Sequence, residues 1–208
     1  AAPFHSAEGS AYFDAMQAAG NFAFANRSAL TQRLRDALHA HLGSDGELEV
    51  VYDVCHNIAK VEEHVIHGQS CTCAVHRKGA TRALGGDHSE LGNRFSGIGQ
   101  PVLVPGDMGT YSYVLAGPKS GSNAAFSSSC HGAGRQMSRS QARREINGGK
   151  LQDELAAKGI DIYANTPNVL SEEAPDAYKD IDEVIRLTND AGLARPVARM
   201  KPFCVIKG

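Results

Sequence analysis

Apolar residues recur at helical spacing near the start of the chain. Between Ser6 and Leu42, Tyr12, Met16, Ala19 and Ala23 follow three- and four-residue steps, and Leu30, Leu34, Leu38 and Leu42 form an i, i+4 stripe. That period predicts helix, with Gly20 the point at which it would break. Gly43 to Gly46 reads as a turn. Leu48, Val50, Tyr52 and Val54 then alternate, which predicts a strand over Glu47–Val54 with His56 and Asn57 at its end. A helical turn or two is expected over Ala59–Val65. Strand-like runs follow at Cys71–His76, Pro101–Val104 and Tyr111–Leu115, separated by glycine-rich loops. Ser138-x-x-Gln141 is a capping-box pattern and predicts a short helix over Ser138–Ile146. Two more helices are expected at Lys150–Lys158, closed by Gly159, and Asp180–Ala191, closed by Gly192. Asp161–Ala164 and Val197–Lys207 read as strands. No repeat or low-complexity linker interrupts the pattern, so a single α+β domain of mixed sheets with surrounding helices is the expectation.

Composition narrows this only a little. The 208 residues carry a formal net charge of -2 and a mean hydropathy of -0.29, ordinary for a globular chain. A nucleic-acid partner is not announced globally and would need a local basic patch. No apolar run approaches the roughly 18 to 20 residues that cross a bilayer, and Ala1-Ala2-Pro3-Phe4-His5 does not resemble a signal peptide. No membrane association is therefore expected. Five cysteines without CxxC spacing argue against a zinc ribbon or a disulfide framework, and favour a reducing, cytoplasmic setting. The absence of an initiating Met and an opening that reads as mid-domain suggest a fragment.

The candidate chemistry begins at Cys130-His131-Gly132-Ala133-Gly134-Arg135. Glycines beside an imidazole allow a phosphate close to the backbone, where exposed amides can form an anion nest. His131 could be nucleophile, ligand, proton donor or an ordinary loop residue; local spacing leaves these open. Arg135, Arg139 and Arg143 would share one helical face, either opposite an anion or as a solvated basic surface. His56-Asn57 is a plausible ligand-plus-amide pair, but one histidine is not a metal site. His5, His39, His41, His64, His67, His76 and His88 supply no HExxH and no tight carboxylate cluster, with His39/His41 and His64/His67 expected on helix surfaces. Pro105-Gly106-Asp107-Met108-Gly109-Thr110 reads as a hairpin-like connection, neither a Walker A loop nor a dinucleotide fingerprint.

Taken in order, these runs resemble the RtcB family of RNA ligases. The resemblance rests on Asn21-Phe-Ala-Phe-Ala-Asn-Arg27, Asp53-Val-Cys-His-Asn-Ile-Ala-Lys60 and Val75-His-Arg-Lys-Gly-Ala-Thr81. It continues through Pro105–Thr110, Cys130–Arg135, Glu173-Ala-Pro175, Ala177-Tyr-Lys179 and the terminal Ile206-Lys207-Gly208. It covers essentially the whole chain and implies an RtcB-like fold. It also implies an enzyme that uses GTP and Mn2+ to join RNA ending in a 3′-phosphate or 2′,3′-cyclic phosphate to RNA with a 5′-hydroxyl, as in tRNA splicing and RNA repair. tRNA halves would be the natural partners. By matching positions, His131 would accept GMP covalently, His56 would bind manganese and Asn57 would touch the nucleotide. Pro105, Gly106, Asp107, Met108 and Ser112 would surround the guanosine, with Asp107 the least fixed of these. Gly132, Ala133 and Gly134 would line the phosphates, Lys207 would meet the guanine, and Arg135 and Arg139 would hold RNA phosphates.

One departure matters. The family's Asp/Cys, Gly-Asn-His-Phe and His-Ser-Gly-Ser-Arg-Gly motifs, which complete a two-manganese site, are missing from these 208 residues. The expectation is thus the carboxy-terminal half of a single catalytic domain, inactive alone, whose missing amino-terminal half would be a partner. Two other readings stand beside it: from a different class, a truncated RNA- or nucleotide-binding module without catalysis, and, as a third, a diverged paralogue with altered RNA-end preference.

Overall fold

The computed structural model describes residues 2–43, 48–121 and 124–207, the Lys207 side chain excepted. The α+β class holds: helices and small sheets are distributed over two compact units, residues 1–78 and 79–208. Among the described residues no helix is long and apolar enough to cross a membrane.

The first unit opens with α1 (Ala7–Leu42), a single 36-residue helix. Ser6 caps it by accepting from the Gly9 amide at 3.1 Å. Gly20 does not break it. A β-carbon there would lie 2.9 Å from Ile58 Cδ1, so the glycine accommodates close approach of the following strand. Residues 48–56 form no strand despite their alternation, and Glu47 lies outside the described residues. Side chains of α1 hold this segment instead: Arg35 donates to the Leu48 carbonyl at 2.9 Å and Arg27 to Asp53 at 2.6 Å. The helical turn expected at Ala59–Val65 is also wrong. That stretch lies in β1 (Asn57–Ile66), paired antiparallel with β2 (Gln69–Lys78). A two-residue turn, His67 at φ 50° and Gly68 at φ 81°, closes the hairpin. Both residues are left-handed, as the twist-matched type I′ turn requires. Ile58, Lys60, Glu62, His64 and Ile66 share the less exposed face, the two-residue period of a strand. His64 and His67 accordingly sit on a strand and in a turn, not on a helix.

The second unit has two apolar centres. A three-stranded antiparallel sheet joins β4 (Pro101–Val104), β5 (Ser112–Ala116) and β8 (Arg195–Met200). Val102, Val104, Tyr113 and Leu115 of this sheet form one core with Ala133, Ile181, Ile185 and Ala194. Ile181 and Ile185 come from α6 (Ile181–Asp190), which Asp180 caps by accepting from the Asp182 and Glu183 amides. Met108, Leu155, Ile160, Ile162 and Leu170 form the other core. It gathers α4 (Gly148–Ala157), α5 (Pro167–Glu172) and β7 (Asp161–Ala164), the last paired parallel with β9 (Cys204–Lys207). The expected strand over Val197–Lys207 is therefore two strands in two sheets, interrupted at Pro202, which has no amide to give a ladder. After the one-turn α2 (Gly92–Phe95), the short α3 (Arg139–Glu145) begins as its capping residue predicts, Ser138 Oγ accepting from the Gln141 amide. Two three-residue strands, β3 (Ala80–Arg82) and β6 (Ser128–Cys130), pair antiparallel.

Candidate active-site loops

His131 follows the last residue of β6. The β3–β6 register sets Ala80 opposite Cys130 and Thr81 opposite Ser129. Two motifs fifty residues apart in the chain are thus hydrogen-bonded neighbours immediately before the histidine. His131 is half-buried, with its Nδ1 shielded from solvent. Downstream, the loop is pinned through its backbone. Gly134 takes φ 76°, a conformation that favours glycine, and its carbonyl accepts from the Lys179 amide at 3.0 Å. The amides of Gln136 and Met137 both donate to the Ala177 carbonyl. Ala133 is a core residue, so this side chain anchors the loop and only its backbone is available to a ligand.

The Pro105–Thr110 turn is stapled by its own carboxylate. Asp107 Oδ1 accepts from the Gly109 amide at 2.8 Å and the Thr110 amide at 3.0 Å, while Oδ2 accepts from Thr110 Oγ1 at 2.7 Å. The Gly106 amide donates to Ser112 Oγ at 3.3 Å. Any β-carbon on Gly106 would collide with the Tyr111 carbonyl oxygen. Met108 is 1% exposed, inside the second core, so like Ala133 it can offer a ligand only its backbone. Pro105 comes close to the histidine loop: a β-carbon on Gly132 would lie 3.7 Å from the Pro105 carbonyl oxygen. Asp107, Gly109, Thr110, Gln136, Tyr178 and Lys179 line one cleft of about 490 Å³, a size that suits a small ligand.

Tyr178 is the residue that local spacing did not single out. Its hydroxyl donates to Glu173 and accepts from Arg135 at 3.0 Å. Burial, followed by the Glu173 carboxylate, pushes its phenol up to about 12. Arg135 packs 4.8 Å from the Tyr178 ring centroid and donates to the Met137 carbonyl at 3.0 Å and the Glu172 carbonyl at 2.5 Å. Arg135 itself lies ahead of α3, so the expected three-arginine helical face is reduced to Arg139 and Arg143. The anion opposite them belongs to the chain itself: Glu172 lies 3.6 Å from Arg139 and 3.1 Å from Arg143, and Glu173 lies 3.7 Å from Arg139. The Lys207 backbone pairs with Ala164 in the β7–β9 sheet. Its side chain, expected at the guanine, lies outside the described residues.

The other expected site residues belong to the first unit. His56 precedes β1 and Asn57 begins it, both exposed, rather than ending a strand. They border a cleft of about 700 Å³ with Tyr12, Met16, Gly20, His76 and Lys78. Arg27 reaches across to this segment, donating to Asp53 and, at 3.9 Å, to Cys55 Sγ. Nearby, Arg77 makes a bidentate pair with Glu62 at 2.7 and 2.8 Å, and Glu62 also meets His64 Nε2 at 3.0 Å. Among the described residues no three His, Cys, Asp or Glu side chains are grouped to hold a metal ion. The donor set therefore does not fit a complete manganese site.

Comparison with known proteins gives one consistent result. The family profile described as tRNA-splicing ligase RtcB matches residues 1–208. The tRNA-splicing ligase RtcB of Thermococcus kodakarensis is 49% identical over 99% of this chain and 43% of its own length. That of Pyrococcus furiosus is 48% identical over 99% of this chain and 22% of its own length. The RNA-splicing ligase RtcB of Mycobacterium bovis is 48% identical over 99% of this chain and 47% of its own length. The chain spans less than half the length of these relatives.

Proposed function

Since this chain belongs to the RtcB family over its whole length, we propose that it is the guanylate-accepting part of a GTP-dependent RNA ligase with His131 as nucleophile. One observation carries this reading. The β3–β6 pairing and the Gly134–Lys179 and Ala177 backbone bonds bring three family-like runs, those of Thr81, Cys130–Arg135 and Ala177–Lys179, together beside His131. The cost of ordering those loops is met in the fold, before any ligand binds.

The proposed chemistry comprises three transfers. An imidazole nitrogen of His131 attacks the α-phosphorus of GTP, forming a P–N bond as pyrophosphate leaves. An oxygen of an RNA 3′-phosphate then attacks that phosphorus, and the imidazole leaves with its electron pair restored. Finally the 5′-hydroxyl of the second RNA attacks the RNA 3′-phosphorus, GMP leaves and the proton passes to solvent. A covalent carrier divides one difficult displacement into easier ones. Pro105, Gly106, Asp107, Met108, Ser112 and Lys207 are assigned to the guanosine, Asn57 to the nucleotide, and the Gly132–Gly134 backbone to its phosphates. RNA with 3′-phosphate ends, or with 2′,3′-cyclic phosphate ends whose P–O2′ bond water has first opened to the 3′-phosphate, including tRNA halves, is the proposed substrate. Manganese dependence belongs to the proposal for the complete enzyme, with His56 as the contribution of this chain. The transfers above are those of the chain's own residues, since among the described residues no three His, Cys, Asp or Glu side chains are grouped to hold a metal ion.

The test is an acid-labile protein–GMP adduct formed from labelled GTP and manganese once the remainder of the enzyme is supplied. Its loss in His131→Ala is expected; an adduct that persists in this variant overturns the assignment. The incomplete donor set favours one second reading, a binding module without catalysis. That module would retain nucleotide and RNA and form no adduct under any reconstitution.

A further inference from the structure

Of the four arginines in the run beyond His131, Arg135, Arg139 and Arg143 do not have equal freedom. Arg135 is committed internally: its Nε, Nη1 and Nη2 atoms all donate to protein oxygens, and its guanidinium covers the Tyr178 ring. Its side chain is 23% exposed. Arg139 and Arg143 differ on every count. Their side chains are 67% and 49% exposed. Arg139 approaches Glu172 and Glu173 only at 3.6 and 3.7 Å, beyond ordinary hydrogen-bond length. Arg143 has one contact of hydrogen-bonding length, 3.1 Å to Glu172. Exposed pairs of this kind contribute little net stability. A phosphate, which matches the guanidinium fork as well as a carboxylate does, can take their place.

We propose that the RNA backbone is held by Arg139 and Arg143, one turn apart on α3, and that Glu172 occupies their phosphate site until RNA displaces it. Arg135 is then a brace for the Tyr178 turn rather than an RNA contact. The inference rests on the RNA-ligase reading and changes its residue assignment: Arg143 and Glu172 enter, and Arg135 leaves. The i, i+4 spacing gives a rise of about 6 Å along the helix, comparable to the step between successive phosphates of a strand. The ligand is an internal backbone phosphate. A terminal 3′-phosphate has the same chemistry and is separated by the experiment.

The experiment is equilibrium binding of short single-stranded RNA to the 208-residue chain over a salt series, with thermal melting of each variant. Arg143→Gln should weaken binding several-fold, as Arg139→Gln does, and flatten the log–log salt dependence by roughly 0.7 per lost contact. Its melting midpoint should hardly move. Glu172→Gln should tighten binding several-fold, and adding Arg143→Gln should remove most of that gain. Arg135→Gln should lower the melting midpoint and leave the salt slope intact. Unchanged affinity and slope in Arg143→Gln, with RNA still bound by the parent chain, overturns this inference alone. So does weaker binding in Glu172→Gln. Failure of the parent chain to bind RNA at any salt also overturns this inference, while the ligase reading stands or falls on the His131 adduct. RNAs ending in a 3′-hydroxyl and in a 3′-phosphate should lose affinity equally in Arg143→Gln. A loss confined to the phosphorylated end overturns the backbone assignment.

Discussion

The two units use their apolar residues differently. In residues 79–208, Leu115, Val102, Val104 and Met108 are at most 1% exposed, and the turns near His131 sit on the cores they build. In residues 1–78, the most regular apolar stripe of the sequence covers little: Leu30, Leu34 and Leu42 of α1 are 54%, 50% and 57% exposed. Gly9 is the only buried residue on that helix. A period of 3.6 residues identifies which face is apolar; it does not say that the unit itself supplies a cover. The loops around His131 therefore owe their geometry to neighbours within residues 79–208, whereas His56 and Asn57 lie at the exposed start of a two-stranded hairpin.

The largest expected effect tests this contrast directly. Leu115→Ala removes a fully buried side chain from β5 and should cost about 2–5 kcal/mol. Leu34→Ala, at a half-exposed helical position with good intrinsic propensity on both sides of the change, should stay within about 0.5 kcal/mol. Urea unfolding followed by circular dichroism would measure both. Equal losses would mean that the α1 stripe is covered in solution.

A smaller effect separates two glycines of like sequence appearance. Alanine at Gly106 would press on the Tyr111 backbone oxygen, which cannot turn aside, and should cost about 1–3 kcal/mol as the turn shifts. Alanine at Gly20 meets the end of a flexible Ile58 side chain and gains up to about 1 kcal/mol of helix propensity. That variant should be neutral to slightly stabilised. Melting curves distinguish the pair, and proteolysis near Pro105 should accelerate only in Gly106→Ala.

Legibility in the sequence followed the same division. Helices that announce themselves by a capping residue, such as those beginning after Ser138 and Asp180, appear within a residue or two of their expected limits. Elements defined by partners were missed. β3 and β6 have three residues each, too few to show a period, and exist because Ala80–Arg82 and Ser128–Cys130 satisfy one another. β1 is not legible as a strand because Glu62 and His64 occupy its less exposed face, where apolar side chains would have marked the period. Their polarity is explained by the Arg77 pair, which adjacent-residue reading cannot show. The site shows the same limit. The glycine loop and His131 could be singled out from the sequence, but the engagement of Arg135 by Tyr178 and of Arg143 by Glu172 joins residues some thirty to forty apart. Met108 and Ala133 could be placed near the site but not identified as core side chains.

The smallest effect concerns Tyr178, where the tie between the histidine loop and the following turn has its own pH dependence. The phenol is raised from about 10 to about 12 because burial, then hydrogen bonding to Glu173, disfavours the phenolate. The folded chain therefore holds this proton where the unfolded chain has released it. The associated stability is fully present below about pH 10 and declines as pH rises toward 12. Tyr113, buried and bonded at 2.5 Å to Asp182, is shifted in the same direction. Spectroscopic titration of the six tyrosines should show a late fraction, and Tyr178→Phe should remove part of it. It should also flatten the alkaline decline in stability, while Tyr12→Phe, on the exposed flank of α1, should leave that decline as it was. Identical alkaline profiles for the parent and Tyr178→Phe would show that the Glu173–Tyr178–Arg135 contact does not brace the loop.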